Sequence, residues 1–297
     1  MSITVNWVNP NATFDEIRIY RTATPVTQAN IPVTPLATLT NGSSYTDETA
    51  EQETYYYYTI AVTTGDDIVL TPSKLAYQLV YSGPGPQTLQ CGDLKHGYFG
   101  TLPWVDLFSP AELMAYFPGL GLPATIAFQW AKFIIDGKIL FYPLRMVTST
   151  ASAVSWNTLY SSGLVYGIDG PGPTPISGVV ATNQLKTITK GNDSFIVRLP
   201  RFFNTPDYTN GGSTVVKSEA TKIVGALNVI QPTDIYTVLG NDLASNGGTW
   251  GTDISWGMEC GIAEPNACIF NAVGTIDLVG MARTSNRAWR PLLELVK

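Results

Sequence analysis

The chain has 297 residues, a formal net charge of −6 and a sequence pI near 4.8, with only 13% charged residues against 44% hydrophobic ones. That apolar content excludes a disordered chain. An acidic balance with no basic stripe argues against nucleic acid as a partner, and a length above the usual single-domain size argues for two domains.

Residues 1–81 read as a run of short strands. Ile3, Val5 and Trp7 alternate before a turn at Asn9-Pro10-Asn11. Residues 16–21 alternate again, with Ile17 and Ile19 on one face. Pro35 leads into 36–39, and Asn41-Gly42 supplies turn chemistry before Tyr45. The strongest strand signal is 55–62, four tyrosines followed by Thr59, Ile60, Ala61 and Val62, with Gly65-Asp66-Asp67 turning the chain. Short strands without a helical period predict an antiparallel sandwich.

Ser82-Gly83-Pro84-Gly85-Pro86 breaks every periodicity, so 82–96 is expected as a short, stiff linker and 97–297 as one larger domain. Ser109, Pro110 and Glu112 together predict a helix start. Residues 125–135 are strand-like, Asp136-Gly137 is a hairpin signal, and 138–142 is the expected partner strand. Ile223, Ala226, Leu227 and Ile230 would line one side of a helix over 219–230. The fold class expected is mainly β with minor α.

The apolar run 133–144 is interrupted by Asp136, Lys138 and Pro143, so no membrane insertion is expected. The first residues lack the charged and apolar regions of a signal peptide, which points to synthesis in the cytoplasm.

Catalytic residues are poorly provided. His96 is the single histidine, and no G-x-S-x-G elbow accompanies it. One histidine and three scattered cysteines, Cys91, Cys260 and Cys268, make no zinc-ligand pattern. All three cysteines read as reduced and buried, with pairing of Cys260 and Cys268 after release from the cell, or an oxidase thiol pair, as the other readings. A glycosidase could use Asp106 with Glu112 or Asp253 with Glu259, though surface charges are the plainer reading. The oxygen-rich stretches 207–210 and 241–246 lack the calcium-loop pattern and read as turns. Residues 117–121 contain glycines but no phosphate-cradling lysine. No catalytic, cofactor-binding or metal residue is therefore assigned, no cofactor is expected, and the chain reads as non-enzymatic. Trp130 and Trp289 sit in strand-like contexts and read as core; Trp104, Trp250 and Trp256 are the candidate interface or glycan contacts.

Three resemblances follow. Trp7, Ile17-Arg-Ile-Tyr-Arg21, Pro35-Leu-Ala-Thr-Leu39, Ser44-Tyr-Thr-Asp47 and the 55–62 strand occur in the order that resembles fibronectin type III domains, an immunoglobulin-like sandwich. The resemblance implies Trp7 as the core tryptophan and one tyrosine of 55–58 as the tyrosine corner. In the larger domain, Gly97-Tyr-Phe-Gly100, Trp130–Phe133 with Asp136-Gly137-Lys138, Ser155–Tyr160, Gly163–Gly167, Phe195–Pro200 and Trp289–Leu295 resemble a module of virion-associated proteins of tailed bacteriophages. The last fifty residues are similar in part to the end of C-type-lectin-like and formylglycine-enzyme-like folds, through Gly247-Gly248-Thr249-Trp250 and Trp256-Gly-Met258-Glu259. These resemblances imply a structural virion component (fibre, neck or collar, tail or capsid decoration) that acts by docking and display. Its partners would be other virion proteins and further copies in a symmetric homo-oligomer. Recognition of a host-surface glycan is the alternative.

Overall fold

The structure is a computed structural model that describes residues 2–11, 13–121, 128–144, 147, 153–173, 178–201, 207–208, 219, 223, 255–261, 266–270, 281–287 and 289–296. The fold is predominantly β, with several sheets and little helix. It divides into two compact units, Met1–Tyr81 and Ser82–Lys297.

The smaller unit contains β1 (Ile3–Asn6), β2 (Glu16–Thr22), β3 (Ala37–Leu39), β4 (Ser44–Asp47), β5 (Tyr56–Thr64), β6 (Asp67–Leu70) and β7 (Lys74–Ala76). One sheet has the order β3-β2-β5-β6, with β7 pairing the first half of β5; the other is the β1-β4 pair. Period-two alternation decides what lies between them. Ile17 and Ile19 of β2 and Tyr58 and Ile60 of β5 meet Ile3 and Val5 of β1, Trp7 and Tyr45 of β4 in one apolar cluster. Tyr20 and Ala61 point to the opposite face, where Val26, Ile31, Ile68 and Leu70 cover them. The larger sheet is thus lined by apolar residues on both sides.

The larger unit contains β8 (Cys91–Gly92), β9 (His96–Pro103), α1 (Pro110–Tyr116), β10 (Gln129–Ile135), β11 (Lys138–Pro143), β12 (Val154–Ser155), α2 (Trp156–Ser161), β13 (Thr187–Lys190), β14 (Asp193–Arg198), β15 (Asp207–Tyr208), β16 (Ser255–Gly261), β17 (Asn266–Phe270), β18 (Met281–Ala282), β19 (Asn286–Arg287) and β20 (Leu292–Val296). Its organising element is a seven-stranded antiparallel sheet in the order β13-β14-β20-β11-β10-β9-β8. Asp136 and Gly137 join β10 to β11 with φ of +48° and +82°, the primed turn whose twist matches the flanking strands. On one face, Ala131, Phe133 and Ile135 pack with Tyr98, Tyr142 and Leu292. The alternate residues Trp130, Phe141 and Phe195 belong to the opposite face, where Phe195 meets Phe141 and Phe108 edge-on and Trp130 meets Phe128. Burial on both faces is why 129–143 reads as a nearly continuous apolar run.

Between β9 and β10 the register slips: Gly100 faces Lys132 while Tyr98 faces Phe133, so Phe99 is the extra residue of a β-bulge. Helix α1 begins with the expected capping box, Ser109 Oγ accepting from Glu112 N and Glu112 accepting from Ser109 N. Helix α2 was not foreseen: six residues are too short for a 3.6-residue period to register, and only the Ser155 cap signals it.

Residues 82–96, expected as a linker, belong to the larger unit. Ser82 is buried, and a Cβ on Gly83 (φ +74°) would lie 3.0 Å from a Leu295 methyl carbon. Gly and Pro end the periodicity here because the chain crosses a sheet face in tight turns before forming the edge strand β8. Asp207 and Tyr208, expected within a turn, instead pair in parallel with Cys260 and Gly261, since two residues suffice for a short bridge. Of the helix expected over 219–230, only Glu219 and Ile223 are described, and both are helical. Residues 241–250, including Trp250, and Asp253 lie outside the described residues, as do the side chains of Trp256, Glu259, Cys260 and Cys268.

Leu293, the second residue of β20, is fully buried and flanked by Phe141 and Val197 in the neighbouring strands. Leu293→Ala is expected to destabilise the larger unit by about 2–5 kcal/mol, read as a lower urea midpoint by tryptophan fluorescence. An unchanged midpoint would contradict this placement of β20.

Candidate functional site

In the smaller unit, a cleft of about 310 Å³ opens between the end of β1 and the residues joining β6 to β7. Val5, Trp7, Val8, Ile60 and Pro72 make it mainly apolar, and Lys74 stands at its rim. The Trp7 indole Nε1 is buried yet meets no acceptor among the described residues. Val8 is 87% exposed. The alternation of β1 places Val5 and Trp7 inward, and the chain then turns at Asn9, whose Oδ1 accepts from Asn11 N.

The buried charges of the same unit serve the fold. Asp47, with no exposed side-chain surface, accepts from Tyr58 Oη at 2.6 Å, from Arg21 Nη1 at 2.8 Å, and from the Thr49 N–H and hydroxyl at 2.9 and 2.8 Å. Burial pushes its carboxyl up, but the bonds from Tyr58 and Thr49, and then the Arg21 cation, outweigh burial and hold it below its ordinary value. Burial and then Asp47 push the Tyr58 phenol up.

Two buried cations hold the larger unit together. Lys132 is fully buried in β10, and its Nζ donates to Ser82 Oγ at 2.9 Å and Pro86 O at 2.7 Å, with Gly83 O at 3.4 Å. The bulged Phe99 presents its ring 4.9 Å away. Burial pushes this ammonium down to about 8, with Asp193 acting in the other direction. Arg198 of β14 makes a forked pair with Glu219, both contacts 2.6 Å, and donates through Nε to Glu294 of β20 at 2.8 Å. Glu294 also accepts from Lys138 Nζ at 2.6 Å, and Glu219 from Arg201 N at 3.0 Å. Burial opposes the charge on Glu294, and the Arg198 and Lys138 cations outweigh it to lower its pKa.

The sequence-based candidates are dispersed. Trp104 lies half-buried in a short 3-10 turn beside exposed Val105 and Asp106. Glu112 is occupied by the α1 cap and by Lys190, and Asp106 is on the surface. Trp256 pairs through its backbone with Ile269. His96 opens β9, its N–H donated to Asp93 Oδ1. Trp130 is core, its Nε1 donating to Phe108 O, and Trp156 and Trp289 are fully buried. Among the described residues no three His, Cys, Asp or Glu side chains are grouped to hold a metal. The cleft was not foreseen from sequence; the exposed Val8 after an alternating strand is the signal that could have found it.

Two pH responses follow. The Asp47 contribution should be fully present above the unfolded aspartate pKa of about 3.9 and lost as pH falls through its lowered folded value. Asp47→Asn should therefore cost the smaller unit about 2 kcal/mol near neutrality, with the difference from wild type shrinking below about pH 4; a pH-independent difference in denaturation midpoint would contradict this. For Lys132, the unfolded chain keeps its proton to about pH 10.4 while the folded chain releases it near 8. The larger unit should gain stability as pH rises between those values. Lys132→Met should lack that gain in urea titrations, and an identical gain would contradict the assignment.

Compared with protein-family models, with curated proteins and with solved structures, the chain matches none.

Proposed function

We propose that this chain is a non-enzymatic structural component of a tailed-phage virion, working by protein–protein docking and display. The observation that carries the reading is the cleft of the smaller unit: an apolar surface with an exposed valine and one rim cation, suited to a protein side chain.

The smaller unit supports a fibronectin type III-like reading. Its order β3-β2-β5-β6 opposite β1-β4 gives a two-sheet sandwich with Trp7 in the shared core. The Tyr56 hydroxyl accepts from Glu51 N at 3.4 Å, five residues upstream, as a corner tyrosine would. In the larger unit, the resemblance segments 97–100, 130–133, 195–200 and 289–295 fall on or beside β9, β10, β14 and β20 of one sheet, while 155–160 and 163–167 lie outside it.

The test is immunogold labelling of particles purified from cells making the chain in its native setting, with separate antibodies to 1–81 and 82–297. Label at one fixed place on the particle is expected. Protein left wholly in the lysate, with bare particles, would overturn the reading.

A further inference from the structure

Among the described residues, strand β1 is paired along one edge only. Trp7 N donates to Ser43 O at 2.9 Å, and the ladder pairs Val5 with Tyr45 and Ile3 with Asp47. In an antiparallel ladder this makes residues 3, 5 and 7 the ones bonded to β4, so Thr4, Asn6 and Val8 turn their backbone N–H and C=O groups the other way. Those groups meet no backbone partner among the described residues, and all three residues are exposed. Such an edge is a template for another strand.

The apolar cleft runs along this same edge. Residues 5–8 and 71–74 line it and no residue of β4 does, so it opens on the side of β1 away from β4. Charge then narrows the occupant. Residues 1–81 hold three cations, Arg18, Arg21 and Lys74, against eight carboxylates. Arg18 pairs with Glu16 and Arg21 with Asp47, whereas Lys74 at the cleft rim meets no carboxylate among the described residues. A lone cation on an acidic unit favours a ligand that brings its own acid.

We propose that the open edge of β1 binds an extended segment of a different protein chain by strand addition. The segment's apolar side chain enters the cleft, and its carboxylate pairs with Lys74. A second copy fits less well: β1 itself reads Ile-Thr-Val-Asn and offers Lys74 no acid. This inference rests on the docking reading above and specifies where docking occurs and what is recognised.

The experiment uses the full chain and a fluorescent nonapeptide of alternating valine and threonine with one central glutamate, followed by fluorescence anisotropy. Saturable binding is expected. Lys74→Glu should weaken it about tenfold, and a matching peptide with lysine in place of glutamate should recover the loss on that variant. Asn6→Pro removes an outward N–H without touching the ladder to β4, and should abolish binding while circular dichroism stays unchanged. The charge exchange keeps the test decisive should the proline variant misfold. Binding indifferent to both substitutions, or none at millimolar peptide, would overturn the proposal. So would a wild-type dimer in sedimentation that Asn6→Pro dissolves, because the occupant would then be a second copy. Labelled particles without peptide binding would sink the strand site and leave the docking role. Peptide binding with bare particles would do the reverse.

Discussion

A sheet covered on both faces has no water within reach, so every polar group inside it has to be satisfied by the protein. The larger unit is arranged around that demand. Its backbone groups are met strand to strand, with β20 bonded on both sides, to β14 and to β11. The charged side chains that the sheet buries are met by groups from other segments: Lys132 by Ser82 and Pro86, Arg198 by Glu219 and Glu294. Removing one partner of such a pair leaves a buried charge unmatched, which costs far more than the intact pair contributes. The same requirement ties down chain that would otherwise be loose. The Gly/Pro stretch after residue 81 is held because its carbonyls are what the Lys132 ammonium needs.

This use of charge bears on function. With 13% charged residues in the whole chain, few ionisable groups exist, and the interacting ones described here are committed to capping, bridging or core contacts. Asp47 fastens β4 to β2 and β5, and Glu112 fastens α1 to β13 through Lys190. What is left for an outside partner is mainly shape, apolar surface and backbone, with the Lys74 ammonium beside them. The smaller unit offers all three at one edge, where Trp7, Val8 and the outward groups of β1 lie together. Docking by surface complementarity is the chemistry such a surface can perform.

How much of this was legible in the sequence depended on the range of the signal. The 136–137 hairpin, the Ser109–Glu112 cap and the alternation of 16–21 rest on neighbouring residues, and the structure shows each of them. The position of β20 between β14 and β11 rests on pairings about 95 and 150 residues apart along the chain, and no local pattern encodes them. The segment 82–96 misled because glycine and proline report backbone geometry rather than solvent exposure. Helix α2 was too short to show a period, and two residues of parallel bridge at Asp207 had none. Of the candidate tryptophans, Trp104 is only half-buried, as a contact residue could be. The cleft depends on which strand edge stays unpaired, a property of the assembled sheets.

The place of β20 also sets an order of events in time. Residues 292–296 leave the ribosome long after 138–143 and 193–198, the two strands they will separate. Until then, β11 and β14 each present an edge that no neighbour occupies, and the sheet exists as two incomplete halves. The entry of β20 is an insertion rather than an addition, and it closes contacts of large sequence separation, which slows folding. During that interval the exposed apolar edges are open to wrong partners, so the yield of native protein should be governed by how quickly this one strand arrives.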